Sequence, residues 1–545
     1  MKQQRKLFGI CIAVVFGMLQ SYDQSALQAA ASSESDPFYE SEVVQEIQLD
    51  IPPAERERLY AALPERVYVK GTFRWRDVVL ENVGIRFKGN SSSQPNQPHK
   101  RSYLIKFNEY EKGQRFLGMR RVALDNAIQF GSLFSEILMT DILRDLGNWC
   151  SRANYSRLLV NGEYQGVYVN VERIDESFVA RQYEKPLGPL YKGEGGPGVN
   201  LASAGREAEI YRRSFEAKTD AADMAYPELA RMLDVVSAEI HPNDPETLRG
   251  LFFWDEFVRT IAAMLFAGAF DQLTGWNPHN YYLYQDVTEK RWHYIPSDLD
   301  VGFADQAFGQ IPVIEGWNAA WPIAGGPPRP ILEKLLRHPS LLSQYRKEAK
   351  RILETYFRPE MLHEKLDSLY ALIGEDLKVD PFPPRRATVP SDRDYKDVVQ
   401  SMKAFMVKRY ATARSQLDDP GVRPPSSIQA GPTPEQNANQ VPRPGNKPGR
   451  PSELRIVSRS SKGIKLEWKD NAVGEVAHVV QRTDGLNQEL FWNHIGRSMP
   501  NATEAIDDRF DPRGTYAYRI YAVFPGPDGP VGTEHSNVVI SKPAP

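Results

Sequence analysis

The chain has 545 residues, and its 67 Lys and Arg against 70 Asp and Glu leave a formal net charge of −3. That length exceeds one ordinary domain and calls for two or three. A balance so near neutral argues against a general nucleic-acid binder, and two cysteines, Cys11 and Cys150, supply neither a zinc cluster nor a disulfide framework.

Lys2, Arg5 and Lys6 precede an apolar run over 7–19, and small residues follow at 29–31. Residues 1–31 therefore read as a secretory signal peptide, with a secreted or extracytoplasmic mature chain. The run is too short to span a bilayer comfortably, and no membrane span is expected in the mature chain. Cys150, then the sole thiol, is expected to be buried. Residues 32–42 are polar and expected to be disordered. VVQEIQLDI alternates as a strand does, and PAERERLYAAL reads as a short helix with Pro at its start. RVYVKGTFRWRDVVLENVGIRFKG reads as three short strands with turns at Lys70-Gly71 and near Glu81-Asn82. After the loop Gly89-Asn90-Ser91-Ser92-Ser93, KRSYLIKFN is a further strand. A Gly/Ser loop with a lysine on the returning strand can set N–H groups and an ammonium around a phosphate. It matches no standard phosphate-binding motif, and a plain serine-rich hairpin loop is the competing reading.

A helix over 131–146 presents Leu133, Ile137, Ile142 and Leu143 on one face, carries Glu136 in its first turns and stops at Gly147. Asn161-Gly162 joins two apolar runs as a hairpin, and Glu172 lies where the second strand ends. A short strand over 190–192 and mainly helical sequence follow. The helix FFWDEFVRTIAAMLFAGAF then delivers Asp271. FDQLTGWNPHNYYLY and RWHYIPSDLDVGF form a second hairpin around 285–291, which brings Asp271, Asp298 and Asp300 to one mouth beside Asn277 and Asn280. Hard oxygen donors suit Mg²⁺, and an Asp-plus-Asn arm, a hairpin and a metal-binding Asp are the layout of a kinase catalytic segment. Caps of turns and helices are the alternative use of such acids. Helices occupy most of 331–417, and Lys408-Arg409 on the last reads as a solvated face. Residues 419–451 are a Pro/Gly-rich linker. Short alternating strands over 452–543 suggest a β-sandwich, with Trp468 and Tyr516 in its core.

IRFKGNSSS with KRSYLIKF, LLVNGEYQGVYVNVERID, LYKGEG and the FDQLTGWNPHNYYLY…WHYIPSDLDVGF pair occur in this order over 43–418. In these motifs the chain resembles the spore-coat protein H (CotH) kinase-like family, and the tail resembles a fibronectin type III domain. The resemblance implies an α+β chain with an atypical protein-kinase-like fold, followed by an all-β immunoglobulin-like sandwich. It implies a secreted kinase that transfers the γ-phosphate of ATP to protein Ser/Thr hydroxyls with Mg²⁺ or Mn²⁺. On that reading Asp271 is the catalytic acid, and Asn280, Asp298 and Asp300 hold metal. Gly89, Asn90, Ser91 and Ser92 cover the nucleotide, Lys106 or its rival Lys100 contacts phosphate with Glu136 as partner, and Glu172 meets adenine. The family commonly has Trp before its Asp-x-Asp; here Ser297 stands there. A protein substrate is the expected partner, with a surface or extracellular partner for the tail and no nucleic acid. A non-catalytic assembly or adhesion protein on the same scaffold, or a transferase with a non-protein acceptor, are the other readings.

Overall fold

The structure, a computed structural model, describes residues 33–542 except 90–91, 94–99, 128–131, 183–186, 276–277, 308–310, 324–328, 385, 387–388, 390, 425–448, 461–462, 476, 485–491, 499–500, 508–513 and 525–530. The expected signal peptide, Asn90, Ser91, Asn277 and most of the linker lie outside the described residues. The described chain is mixed α and β with several sheets.

Seven strands close into a barrel: β1 (Gln45–Asp50), β2 (Val69–Trp75), β3 (Val78–Lys88), β4 (Ser102–Lys106), β5 (Arg121–Asp125), β6 (Ala153–Val160) and β7 (Glu163–Val171). Their order is β1-β2-β3-β4-β5-β7-β6, and β1 pairs parallel with β6 to complete the ring. Alternation drives this. On β2, Val69, Phe73 and Trp75 point inward while Lys70 and Arg74 point out. The interior holds Ile47, Val83, Ile85, Phe107 and Phe116. The β6–β7 turn is Asn161-Gly162, with φ of 52° and 80°, the left-handed pair a two-residue hairpin requires.

Two expectations are corrected here. Residues 33–42 are packed, not disordered: Asp36–Phe38 is one 3₁₀ turn, and Phe38 inserts into the barrel beside Trp75 and Phe116. Lys70-Gly71 and Glu81-Asn82 are not turns. They lie inside β2 and β3, the pairing slips between Gly71 and Phe73, and Asn82 takes a φ of 55°. The extra residue is absorbed as a bulge, and the actual turn is Arg76-Asp77.

A second sheet has the order β11-β10-β8-β9, from β8 (Leu190–Gly193), β9 (Phe215–Ala217), β10 (Tyr281–Gln285) and β11 (Trp292–Pro296). The expected β10–β11 hairpin is present with both strands fully buried. It packs in the larger core with helices Ser135–Asp145, Trp254–Ala267, Pro339–Tyr356 and Tyr395–Asp418. Cys150 is buried in that core, as expected, and burial pushes its thiol pKa up. A short ribbon, β12 (Gln306–Ala307) with β13 (Ile311–Pro312), follows the hairpin. Among the described residues no helix is long and apolar enough to cross a membrane.

Among its described residues the C-terminal segment has eight strands: β14 (Ser452–Ser460), β15 (Gly463–Lys469), β16 (Ala477–Asp484), β17 (Asn493–Ser498), β18 (Glu504–Asp507), β19 (Tyr516–Phe524), β20 (Val531–Gly532) and β21 (Val539–Ser541). β14-β15-β18 form one sheet; β17-β16-β19-β20, with β21 on β19, form the other. Leu454, Leu466 and Trp468 of the first meet Val480, Tyr516 and Ile520 of the second in a common core.

Candidate functional site

Six segments bring charged or polar side chains to one place. β3 ends on Lys88, β5 ends on Asp125, and the Ser135–Asp145 helix carries Glu136 in its first turn. The Trp254–Ala267 helix leads to Asp271, Asn280 precedes β10, and Asp298 and Asp300 follow β11. The helix is stopped sharply. Gly268 sits at φ 69°, and an added Cβ there would lie 2.2 Å from Val313 Cγ1. Two of the helix's last carbonyls are then taken from outside. The Phe303 N–H donates to Ala267 O (2.8 Å) and Arg409 Nη2 to Leu265 O (2.6 Å). The segment that bears Asp298 and Asp300 is thus stitched to the helix that delivers Asp271.

The hairpin supplies the other stitches. Ser297 N–H donates to Asn280 O (2.9 Å), and Gln272 Nε2 donates to Ser297 O (3.0 Å). Asn280 Nδ2 donates to Asp271 Oδ2 at 2.7 Å, which orients the acid. Asp298 has a φ of 56°, a left-handed conformation that Asp tolerates better than most residues, and its side chain is exposed.

The electrostatics is that of crowded carboxylates. Burial, with repulsion from Asp298, Asp271, Glu136 and Asp125, pushes Asp300 well above the usual carboxylate range. Glu136 is raised in the same way by burial and by Asp298 and Asp125, with Lys88 and the Leu299 N–H opposing. Among the described residues no three of these oxygens lie within 4.8 Å of one another. Hard oxygen donors in excess over a single lysine fit a Mg²⁺ ion, with Asp298 and Asp300 at the open side.

The sequence expectations for the acids and for Asn280 therefore meet in one place. The lysines do not. Lys106 pairs with Glu109, three residues on, and Lys100 is buried against Asp380 (2.9 Å) and Val167 O (2.6 Å). The cation that faces Glu136 is Lys88, ion-paired to Asp125. Both were missed, although Lys88 stands in the RFKGN motif one residue before Gly89. Glu172 is also spoken for: Arg152 and Arg181 bracket its carboxylate at 2.6–3.1 Å and, against the effect of burial, hold its pKa below the usual range. It is a buried ion-pair hub rather than a free adenine contact. Gly89 takes a φ of 81°, and Ser92 is buried, its hydroxyl donated to Lys88 O and its own carbonyl accepting from Arg101 Nη1 (2.7 Å). Ser92 thus shapes the loop and does not open onto the site. Arg409 is 2% exposed, so only Lys408 of that pair is solvated. One helical step of 100° separates the two faces.

Lys100→Ala is expected to cost about 3–5 kcal/mol, because it strands a buried Asp380. Denaturant unfolding measures this, and the paired change Lys100→Met with Asp380→Leu should recover most of it.

Residues 85–413 match the family model described as CotH kinase protein. Inner spore coat protein H of Bacillus subtilis (strain 168) is 22% identical over 290 residues, which cover 52% of this chain and 75% of that protein. Among solved structures, the chicken CNTN1 FN1–FN3 domains are 21% identical over 18% of this chain and 34% of that one, at a TM-score of 0.15. A structure titled "Myokine structure" is 14% identical over 18% of this chain and 100% of that one, also at 0.15.

Proposed function

This chain belongs to the CotH kinase protein family, and from that premise we propose that it is an exported, Mg²⁺-dependent kinase acting on protein hydroxyls. The observation that carries this reading is the clustering of Lys88, Asp125, Glu136, Asp271, Asp298 and Asp300 from separate segments, close enough that each acid is felt by its neighbours. Phosphoryl transfer asks a protein for positioning and charge neutralisation rather than covalent chemistry, and this set supplies both.

In the proposed assignment Asp298 and Asp300 hold Mg²⁺, with Glu136 behind them. Bound Mg²⁺–ATP supplies the phosphoryl group and the charge that offsets these carboxylates. Lys88 is the phosphate-contacting cation in place of Lys106 and Lys100, and Asp125 and Glu136 fix its position. Asp271, oriented by the Asn280 amide, accepts the proton of the acceptor hydroxyl. Gly89, at a φ of 81°, approaches the nucleotide through its backbone. Residues 1–31 act as the export signal, and 452–543 act as a fibronectin type III-like module that holds a partner or surface.

The test is transfer from labelled ATP with Mg²⁺ or Mn²⁺, to the chain itself or a generic protein acceptor. Lys88→Ala and Asp271→Ala are expected to lower transfer by about 10²–10⁴-fold while each still unfolds cooperatively from a folded state. Transfer at the parent rate in both variants sinks the assignment. Absence of both transfer and nucleotide-dependent thermal stabilisation in the parent sinks the kinase reading and leaves the assembly role.

A further inference from the structure

We propose that the C-terminal module carries a second, separate metal site: Asp470, Glu475 and His478 bind one Zn²⁺-type divalent cation. Asp470 follows β15, Glu475 lies in the loop to β16, and His478 is the second residue of β16. Each offers one donor atom, and the three atoms lie within 4.8 Å of one another. Among the described residues no other trio of His, Cys, Asp and Glu donors does so.

The trio is built as a site and not as a surface patch. His478 is fully buried and Glu475 is 5% exposed. Asp470 is the rim, its side chain 12% exposed, and gives a cation a way in. His478 Nε2 lies 3.1 Å from Asp470 Oδ1. Two ligands on a tetrahedral Zn²⁺ with bonds of about 2.1 Å stand about 3.4 Å apart, so this pair is already close to that spacing. Glu475 Oε1 accepts the Asn501 N–H at 2.7 Å, which aims the carboxylate. Its Oε2, and His478 Nδ1, are buried with no hydrogen-bond partner among the described residues. A buried carboxylate oxygen left unmatched is costly, and a cation held beside Asp470 and His478 Nε2 removes that cost for Glu475 Oε2.

The donor set selects the metal. Imidazole with two carboxylates suits Zn²⁺ and its late first-row neighbours, whereas Mg²⁺ and Ca²⁺ take oxygen alone. No cysteine is needed, so the low cysteine count is no obstacle. The Trp468 ring, 5.7 Å from the His478 ring, walls one side.

The site also has a purpose in the fold. The same loop is tied to the start of the module: Asn471 Nδ2 donates to Arg450 O (2.9 Å) and Ser452 Oγ (2.8 Å). A bound cation would therefore staple the loop end of the module at the point where the linker enters it.

The test uses the full chain, stripped by chelation and titrated with Zn²⁺. Co²⁺ serves as a coloured substitute. The parent is expected to bind one equivalent more than Asp470→Asn or Glu475→Gln, near-isosteric changes that spare the buried histidine. Asp298→Asn should retain that equivalent, which separates this site from the acid pocket. Co²⁺ should give a ligand-field spectrum in the parent that is absent from Glu475→Gln. Equal stoichiometry in parent and both variants, or no Zn²⁺ taken up by the stripped parent on titration, overturns the proposal.

Discussion

Asp300→Asn is expected to abolish metal-dependent transfer and, in the absence of metal, to raise the melting temperature. The two effects share one cause. Burial and four neighbouring carboxylates, Asp298, Asp271, Glu136 and Asp125, disfavour the charged form of Asp300, so the ionised side chain opposes folding until a cation arrives. Removing its charge relieves that repulsion. A relief of about 1 kcal/mol corresponds to about 1–2 °C in a domain of this size. The same change deletes a hard anionic donor, and loss of one charge-stabilising group of this kind lowers turnover by about 10²–10³-fold or more. Mg²⁺ should then raise the melting temperature of the parent by mass action and leave Asp300→Asn nearly unmoved. Differential scanning fluorimetry with and without Mg²⁺, beside the transfer assay, reads both arms. A variant that melts lower without metal, or that still transfers phosphate, refutes the assignment.

This opposition explains why the acids were legible in the sequence and their cation was not. Asp271, Asp298 and Asp300 flank one short hairpin, and a hairpin is a local object: alternating apolar runs and a polar turn bring its ends together. Choosing the lysine needs the register between β3 and β4. Lys88 pairs with Ser102, whereas Lys106 pairs with Gly84. The two lysines therefore sit four residues apart along an antiparallel ladder, about 13 Å at strand rise, and only Lys88 is at the end that faces Glu136. Nothing local distinguishes them, because Lys alternates outward on both strands. The packing of 33–42 was hidden for a related reason. Its composition is polar, but Phe38 and Tyr39 are buried in the barrel core, with Arg152 bound to Ser35 and Asp36. The Asn161-Gly162 turn needed no such context, since its left-handed φ values are a property of those two residues.

Arg386→Ala is expected to be strongly destabilising, and a milder change at the same position is expected to act selectively on metal use. Arg386 is 2% exposed and lies between two elements. Nη2 donates to Gly302 O (2.8 Å) and Phe303 O (2.6 Å), directly after the Asp298–Asp300 pair. Nη1 donates to Asp392 Oδ2 (3.2 Å) and Ser401 Oγ (3.0 Å). Truncation strands the buried Asp392 and unbinds two carbonyls, which together should cost about 3–5 kcal/mol. Arg386→Lys keeps charge near Asp392 but lacks the planar fork that spans both sides. It should lose less stability, yet free the Gly302–Phe303 backbone and so raise the Mg²⁺ concentration needed for half-maximal transfer. Lys408→Ala is the control: that lysine is exposed and pairs with Asp305, and its loss should stay within about 0.5 kcal/mol. Urea unfolding with a metal titration of transfer separates the two roles. If Arg386→Lys keeps the parent's metal dependence while losing stability, Arg386 supports the fold alone and the acids are held in place by the hairpin.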